Sequence, residues 1–162
     1  MRAVDDAAAA RVRAAFDDNF ARGEEIGAAL SVWHDERELI DIHAGWRDAA
    51  RTTPWGGDTI VLVWSATKGP AAACVLHALQ EARLPLDARV AMVWPEFAAA
   101  GKSDVTFAGL LAHRAGMAAL EADGLEIHDL EAVAAALAAQ PPNWPPGNPV
   151  HGYAPRTFGY LL

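Results

Sequence analysis

The chain holds one cysteine, two lysines, three serines and two tyrosines in 162 residues, and each scarcity excludes something. Cys74, being single, can form no internal disulfide; inside the apolar run that follows Lys68, it is expected to be a buried structural thiol. Positive charge is scarce as well: 13 Lys and Arg stand against 21 Asp and Glu, for a net charge of -8. A field of that sign repels phosphate backbones and anionic lipid surfaces, so neither nucleic acid nor a membrane is expected as a partner. The opening "MRAVDDAAAARVRAAFDDNF" mixes Asp and Arg through its alanines, unlike the apolar core of a signal peptide, and no later run approaches membrane-spanning length. A cytoplasmic location is the expectation. Six histidines are present, but none lies in an HExxH or similar ligand spacing, and no Gly-rich phosphate cradle precedes a helix.

What is present is enough apolar sequence for a core: 52% of the residues are hydrophobic. Residues 5–21 alternate apolar and charged positions at helical spacing, which predicts an amphipathic helix. Two partly alternating apolar runs, Ile26 to Trp33 and Leu39 to Ala44, flank the polar "HDERE" and predict a β-hairpin. "RDAARTTPWGGD" reads as a surface loop, "TIVLVW" as a short β-branched run, and residues 66–83 as a helix. Further helices are expected in "DVTFAGLLAHRAGM", capped at Thr106 or Asp104 and stopped by Gly116, and in "DLEAVAAALAAQ". "PPNWPPGNP" is too rich in proline for anything but an ordered loop, and "YAPRTFGYLL" opens another helix, with Pro155 in its first turn. No cap or polar tail follows Leu162, which suggests the N-terminal part of a longer protein.

Ser65 and Lys68 in "VWSATKGP" stand three residues apart at the head of the helix predicted over residues 66–83. That spacing puts both on one helix face, where a lysine amine can reach a serine oxygen. A serine hydroxyl is a weak nucleophile unless a neighbour takes its proton, and a helix N-terminus favours the alkoxide. The alternative is a helix cap beside a solvated lysine. Scarcity weakens the coincidence: one of only three serines meets one of only two lysines, in a chain that otherwise uses eleven arginines. Lysine can be neutral in a protein where arginine cannot. Tyr153, after the rigid proline-rich loop, could bring a phenol to a fixed point as general acid or base; its bland reading is a packed aromatic at a helix start. Of the six tryptophans most are expected in the core, with Trp64 and Trp144 better placed to line an acyl pocket because they neighbour these motifs.

Taken in order, "DTIVLVWSATKG", "VTFAGLLAHRAGM" and "WPPGNPVHGYAPRTFGYLL" resemble the serine hydrolases built on the class C beta-lactamase and DD-peptidase plan, most closely the family VIII carboxylesterases. The likeness runs from about Ile26 to Leu162. It implies an α/β (α+β) fold of the beta-lactamase/transpeptidase kind, an antiparallel sheet flanked by helices with a helical region after the Ser65 helix. It implies one such domain over residues 1–162, whose C-terminal strands and helix lie beyond this length. It implies that Ser65 is the acylated nucleophile, Lys68 the residue that eases its deprotonation, and Tyr153 the general base and proton shuttle. One oxyanion donor would be the Ser65 backbone N–H. His113 and Gly116 match the LLxHxxG element, which is expected to scaffold the site. The implied function is cleavage of small carboxylic esters without metal or organic cofactor. Two departures matter. Where beta-lactamases and DD-peptidases of this plan carry an asparagine, two residues after the tyrosine, this chain has Pro155, which offers no side-chain amide; ester is therefore favoured over lactam hydrolysis. The family's third motif lies beyond residue 162. The alternatives are a DD-peptidase or weak class C-like beta-lactamase, and a non-catalytic interaction module or fragment.

Overall fold

The computed structural model describes residues 6–147 and 151–162, and the chain divides into two compact units between Leu62 and Val63. In the first unit, helix α1 (Asp6–Ala21) precedes an antiparallel hairpin of β1 (Gly27–His34) and β2 (Arg37–Gly45). The helix matches the expected amphipathic segment; Asp5, its expected first residue, lies outside the described residues. The hairpin runs from the Gly27–Gly45 pair to His34–Arg37, with an irregularity between Val32 and Trp33. Its two-residue turn places both Asp35 and Glu36 at positive φ, 48° and 61°. That backbone twist matches the right-handed twist of paired strands, which is why a non-glycine pair tolerates it here. The loop after β2 is organised by Asp48, whose carboxylate accepts from the N–H groups of Thr52 and Thr53 at 3.0 and 2.9 Å. Those backbone bonds, the Thr52 bond foremost, hold its carboxyl below the usual range.

The expected β-branched run does not pair. Residues 59–63 carry no strand hydrogen bonding, and Ile60 is 95% exposed. A run of apolar residues becomes a strand only when a neighbour accepts its backbone bonds, and none of the described residues does so.

The second unit begins with a 3-10 turn (Trp64–Thr67) that leads into α2 (Lys68–Glu81). After α2 come two short 3-10 segments, Val90–Met92 and Pro95–Gly101, in the proline-broken stretch. Helix α3 (Phe107–Leu111) is capped by Thr106, whose hydroxyl accepts from Gly109 N–H at 3.1 Å. Helix α4 (Leu130–Ala139) is capped by Asp129, whose carboxylate accepts from Ala132 N–H at 3.0 Å. Asp129 is exposed, so its cap can be removed without a cavity: Asp129→Ala should lower stability by about 1 kcal/mol, and Asp129→Asn should keep most of it. Urea midpoints of the three proteins check this.

The core of this unit gathers Leu79 of α2, Val90, Phe97, Phe107 and Leu110 of α3, and Val133 and Leu137 of α4. Phe97 and Leu137 are fully buried, and each side chain contributes roughly 2–3 kcal/mol by leaving water. Lys102 is fully buried too. Its ammonium donates to the carbonyls of Ala99 and Gln140 and lies 5.5 Å from the Phe97 ring centre. It thereby satisfies the C-terminal end of α4, where an ammonium is electrostatically favoured, while burial lowers its pKa.

Helix α2 overturns the expectation for Cys74. Its partly or fully buried positions are Lys68, Ala71, Ala72, Val75 and Leu79, a single stripe at helical spacing. Cys74 falls off that stripe and is exposed. An apolar neighbourhood in sequence is not burial when only one face of the helix is covered.

Candidate active site

Ser65 is the second residue of the 3-10 turn and Lys68 the first of α2. The helical stretch thus starts slightly earlier and less regularly than expected, and Ser65 does not cap it: neither turn nor helix has a side-chain cap. The residue before the serine, Trp64, sits at φ +47°, a left-handed backbone that costs a bulky aromatic side chain of order 1–3 kcal/mol. Trp64 is 82% exposed. Ser65 is exposed as well.

Lys68 Nζ donates to Ser65 Oγ at 3.2 Å and to the Pro155 carbonyl at 2.9 Å. It also lies 5.1 Å from the centre of the Tyr153 ring and 5.9 Å from that of Phe158. Hydrogen bonding with Ser65 first and with Lys68 second, together with the Lys68 charge, holds the Tyr153 phenol below its ordinary pKa of 10.0. Tyr153 is 52% exposed, with its ring against that of His113. The three residues singled out in the sequence therefore gather around Lys68 Nζ, although Tyr153 follows Lys68 by 85 positions. Such an arrangement can pass a proton between the serine and phenol oxygens beside a fixed cation.

Two elements fix where Tyr153 stands. The proline-rich loop is described as far as Gly147; Asn148, Pro149 and Val150 of that stretch lie outside the described residues. Its described part is pinned to the LLxHxxG element, with Asn143 N–H donating to the Gly116 carbonyl at 2.7 Å and Gly147 N–H to the Arg114 carbonyl at 3.2 Å. Gly116 has φ +72°, and a Cβ there would meet the Trp144 carbonyl oxygen. Gly152 lies against the Trp144 ring so closely that a Cβ would collide with it. Trp144 is thus a spacer between Gly116 and the tyrosine segment.

The second element is the end of the chain. Instead of the expected helix, a short 3-10 turn (Thr157–Tyr160) follows Pro155. Its side chains are spent on tertiary bonds: the Thr157 hydroxyl donates to the Met117 carbonyl, and the Tyr160 hydroxyl to the Ile127 carbonyl at 2.7 Å. Proline lacks an N–H, but its carbonyl holds Lys68, a role that sequence reading missed because only the lost side-chain amide was weighed. Helix α3 likewise ends at Leu111, short of Gly116, because His113 takes a left-handed backbone at φ +57°.

The beta-lactamase family profile matches residues 12–162. The chain is 34% identical over 137 residues to a Mycobacterium tuberculosis protein named esterase/beta-lactamase LipL, covering 84% of this chain and 32% of that protein. Among solved structures it is similar to a family VIII carboxylesterase, at 40% identity and a TM-score of 0.88 over 94% of this chain and 42% of that one. It is equally similar to a penicillin-binding protein homologue from Caulobacter crescentus, at 41% identity and a TM-score of 0.88 over the same shares. The chain therefore spans about a third to two-fifths of the length of these relatives.

Proposed function

Because this chain belongs to the beta-lactamase family, we propose that its Ser65, Lys68 and Tyr153 carry acyl transfer to water, acting as a carboxylesterase on small carboxylic esters. The observation that supports this most is Lys68 Nζ donating to Ser65 Oγ at 3.2 Å while lying 5.1 Å from the centre of the Tyr153 ring. A phenol whose pKa is lowered by those contacts has more of the phenolate available to take the serine proton near neutral pH. In the proposed sequence Ser65 Oγ attacks the ester carbonyl carbon as its proton passes to the Tyr153 oxygen. The carbonyl oxygen becomes an oxyanion, for which the Ser65 backbone N–H is one donor. Collapse breaks the carbon–oxygen bond to the alcohol, which leaves with the proton returned by Tyr153. Water then attacks the acyl-serine, gives its proton to Tyr153, and the acid departs as the proton returns to Ser65. Lys68 stays beside both oxygens, stabilising charge on the phenol oxygen, and the Pro155 carbonyl holds it there.

The penicillin-binding protein homologue and the double name of LipL favour a second reading, in which the same nucleophile opens a lactam or cleaves a peptide. Pro155 weighs against it, since a proline carbonyl already engaged by Lys68 leaves no amide to hold a lactam's side chain. One experiment separates the two. The protein is treated with a fluorophosphonate, the modified peptide is sequenced by mass spectrometry, and turnover of short p-nitrophenyl esters is compared with that of a chromogenic cephalosporin. An adduct on Ser65 with ester turnover well above cephalosporin turnover is expected. An adduct elsewhere removes the nucleophile assignment, and cephalosporin rates equal to the ester rates replace the esterase with the lactamase.

A further inference from the structure

We propose that His113 is a positioning residue for Tyr153, holding the phenol oxygen at Ser65 and Lys68 through an unprotonated Nδ1. The proposal rests on the roles given above to Ser65, Lys68 and Tyr153, and it extends them to a residue that touches none of the reacting atoms. His113 Nδ1 accepts the N–H of Ala154, the residue after the tyrosine, at 3.1 Å. The imidazole packs against the Tyr153 ring at 4.9 Å and 57°, and against the Phe158 ring at 4.9 Å and 35°. One ring thus contacts both the side chain of Tyr153 and the backbone immediately after it, across 40 residues of chain.

The backbone of His113 sharpens the point. At φ +57° glycine would turn the chain without strain, whereas a residue with a Cβ is held there only by its surroundings. Ala154 is buried, so its N–H has no water to turn to if Nδ1 is lost.

An acceptor at Nδ1 requires the neutral ring with its proton on Nε2. The groups facing the imidazole agree with this. Lys68 of α2 is the cation, the Tyr153 phenol is the other titratable group, and Leu110, Ala115, Met117 and Phe158 supply an apolar lining. Burial first, and the Lys68 charge second, hold the imidazole below its ordinary pKa of 6.5. The sign follows: the neutral acceptor is fully present above the ordinary histidine value, and is lost as pH falls from there through the lowered one. Below that window both ring nitrogens carry protons, the Ala154 N–H loses its acceptor, and Tyr153 is released.

The test reads Tyr153 without using turnover. The chain has only two tyrosines, so its phenolate absorption can be titrated and the Tyr153 step identified by its disappearance in Tyr153→Phe. In the wild type that step should lie below the ordinary tyrosine value. His113→Ala should move it upward, toward the ordinary tyrosine value, because the phenol is no longer held against its two partners. His113→Asn, whose amide oxygen can accept from Ala154 and whose backbone tolerates positive φ, should retain most of the displacement. An unmoved step in a folded His113→Ala protein overturns the proposal, as does His113→Asn behaving no better than His113→Ala. Should His113→Ala fail to fold, the nitrogen NMR signals of the wild-type imidazole decide. A bare, hydrogen-bonded Nδ1 at neutral pH supports the proposal and a protonated Nδ1 overturns it. Ester turnover that survives Ser65→Ala would remove the proposed function while leaving this titration intact, so the two failures are distinguishable.

Discussion

Replacing Ser65 by alanine should lower kcat/KM for short p-nitrophenyl esters by about 1,000-fold or more, with loss of fluorophosphonate labelling. The size follows from removing the atom that forms the covalent bond, which leaves only substrate binding and oxyanion stabilisation. The fold should not change with it. Ser65 is exposed and its hydroxyl accepts from Lys68, so the loss of stability should stay within about 1 kcal/mol. That separation makes the result interpretable, because a fall in activity without a fall in melting temperature locates the defect in the chemistry. Lys68→Met extends the test. It removes the cation beside the phenol together with the bond to the Pro155 carbonyl, so the Tyr153 titration should rise as turnover falls. Ser65→Ala turning over esters at the wild-type rate would sink the assignment of the nucleophile.

Gly116→Ala should be the most damaging single-methyl change in the second unit, at about 3 kcal/mol. Two costs combine. The left-handed backbone at φ +72° disfavours any Cβ by about 1–2 kcal/mol. The added methyl also meets the Trp144 carbonyl oxygen and the Pro142 side chain, and overpacking of this kind costs typically about 1–3 kcal/mol. The backbone oxygen cannot rotate away as a flexible side chain could, so the proline-rich loop must move. That loop carries Trp144 against Gly152, one residue before Tyr153. A displaced loop should therefore weaken the Tyr153 contact as well as the fold. Denaturant unfolding gives the first quantity and the phenolate titration the second. A Gly116→Ala protein with unaltered midpoint would show that the loop is free to shift, contrary to its hydrogen bonds from Asn143 and Gly147.

The degree to which the sequence disclosed this protein varied with the range of the forces involved. The hairpin and α4 were legible because alternation and helical spacing are local, and so was the Thr106 cap of α3, which sits one residue before that helix. The run at Ile60–Val63 and the thiol of Cys74 were misjudged for a common reason. Both are apolar in sequence, but burial needs a second surface, and a period-of-two or period-of-four pattern does not say whether one arrives. The C-terminal segment was expected to continue as a helix on propensity, yet its hydroxyls and the Pro155 carbonyl bond elsewhere in the fold.

By itself the sequence determined the acidic charge, the hairpin, and the pairing of Ser65 with Lys68, since three residues of helical chain bring two side chains together whatever the rest of the fold does. Its ordered motifs also singled out Tyr153. Only the tertiary structure decided that the Tyr153 ring lies beside Lys68, that the Pro155 carbonyl anchors the lysine, and that the His113 ring packs against a tyrosine 40 residues away. These contacts depend on a loop whose course is set by where Gly116 allows Trp144 to lie, and no local periodicity encodes such a meeting.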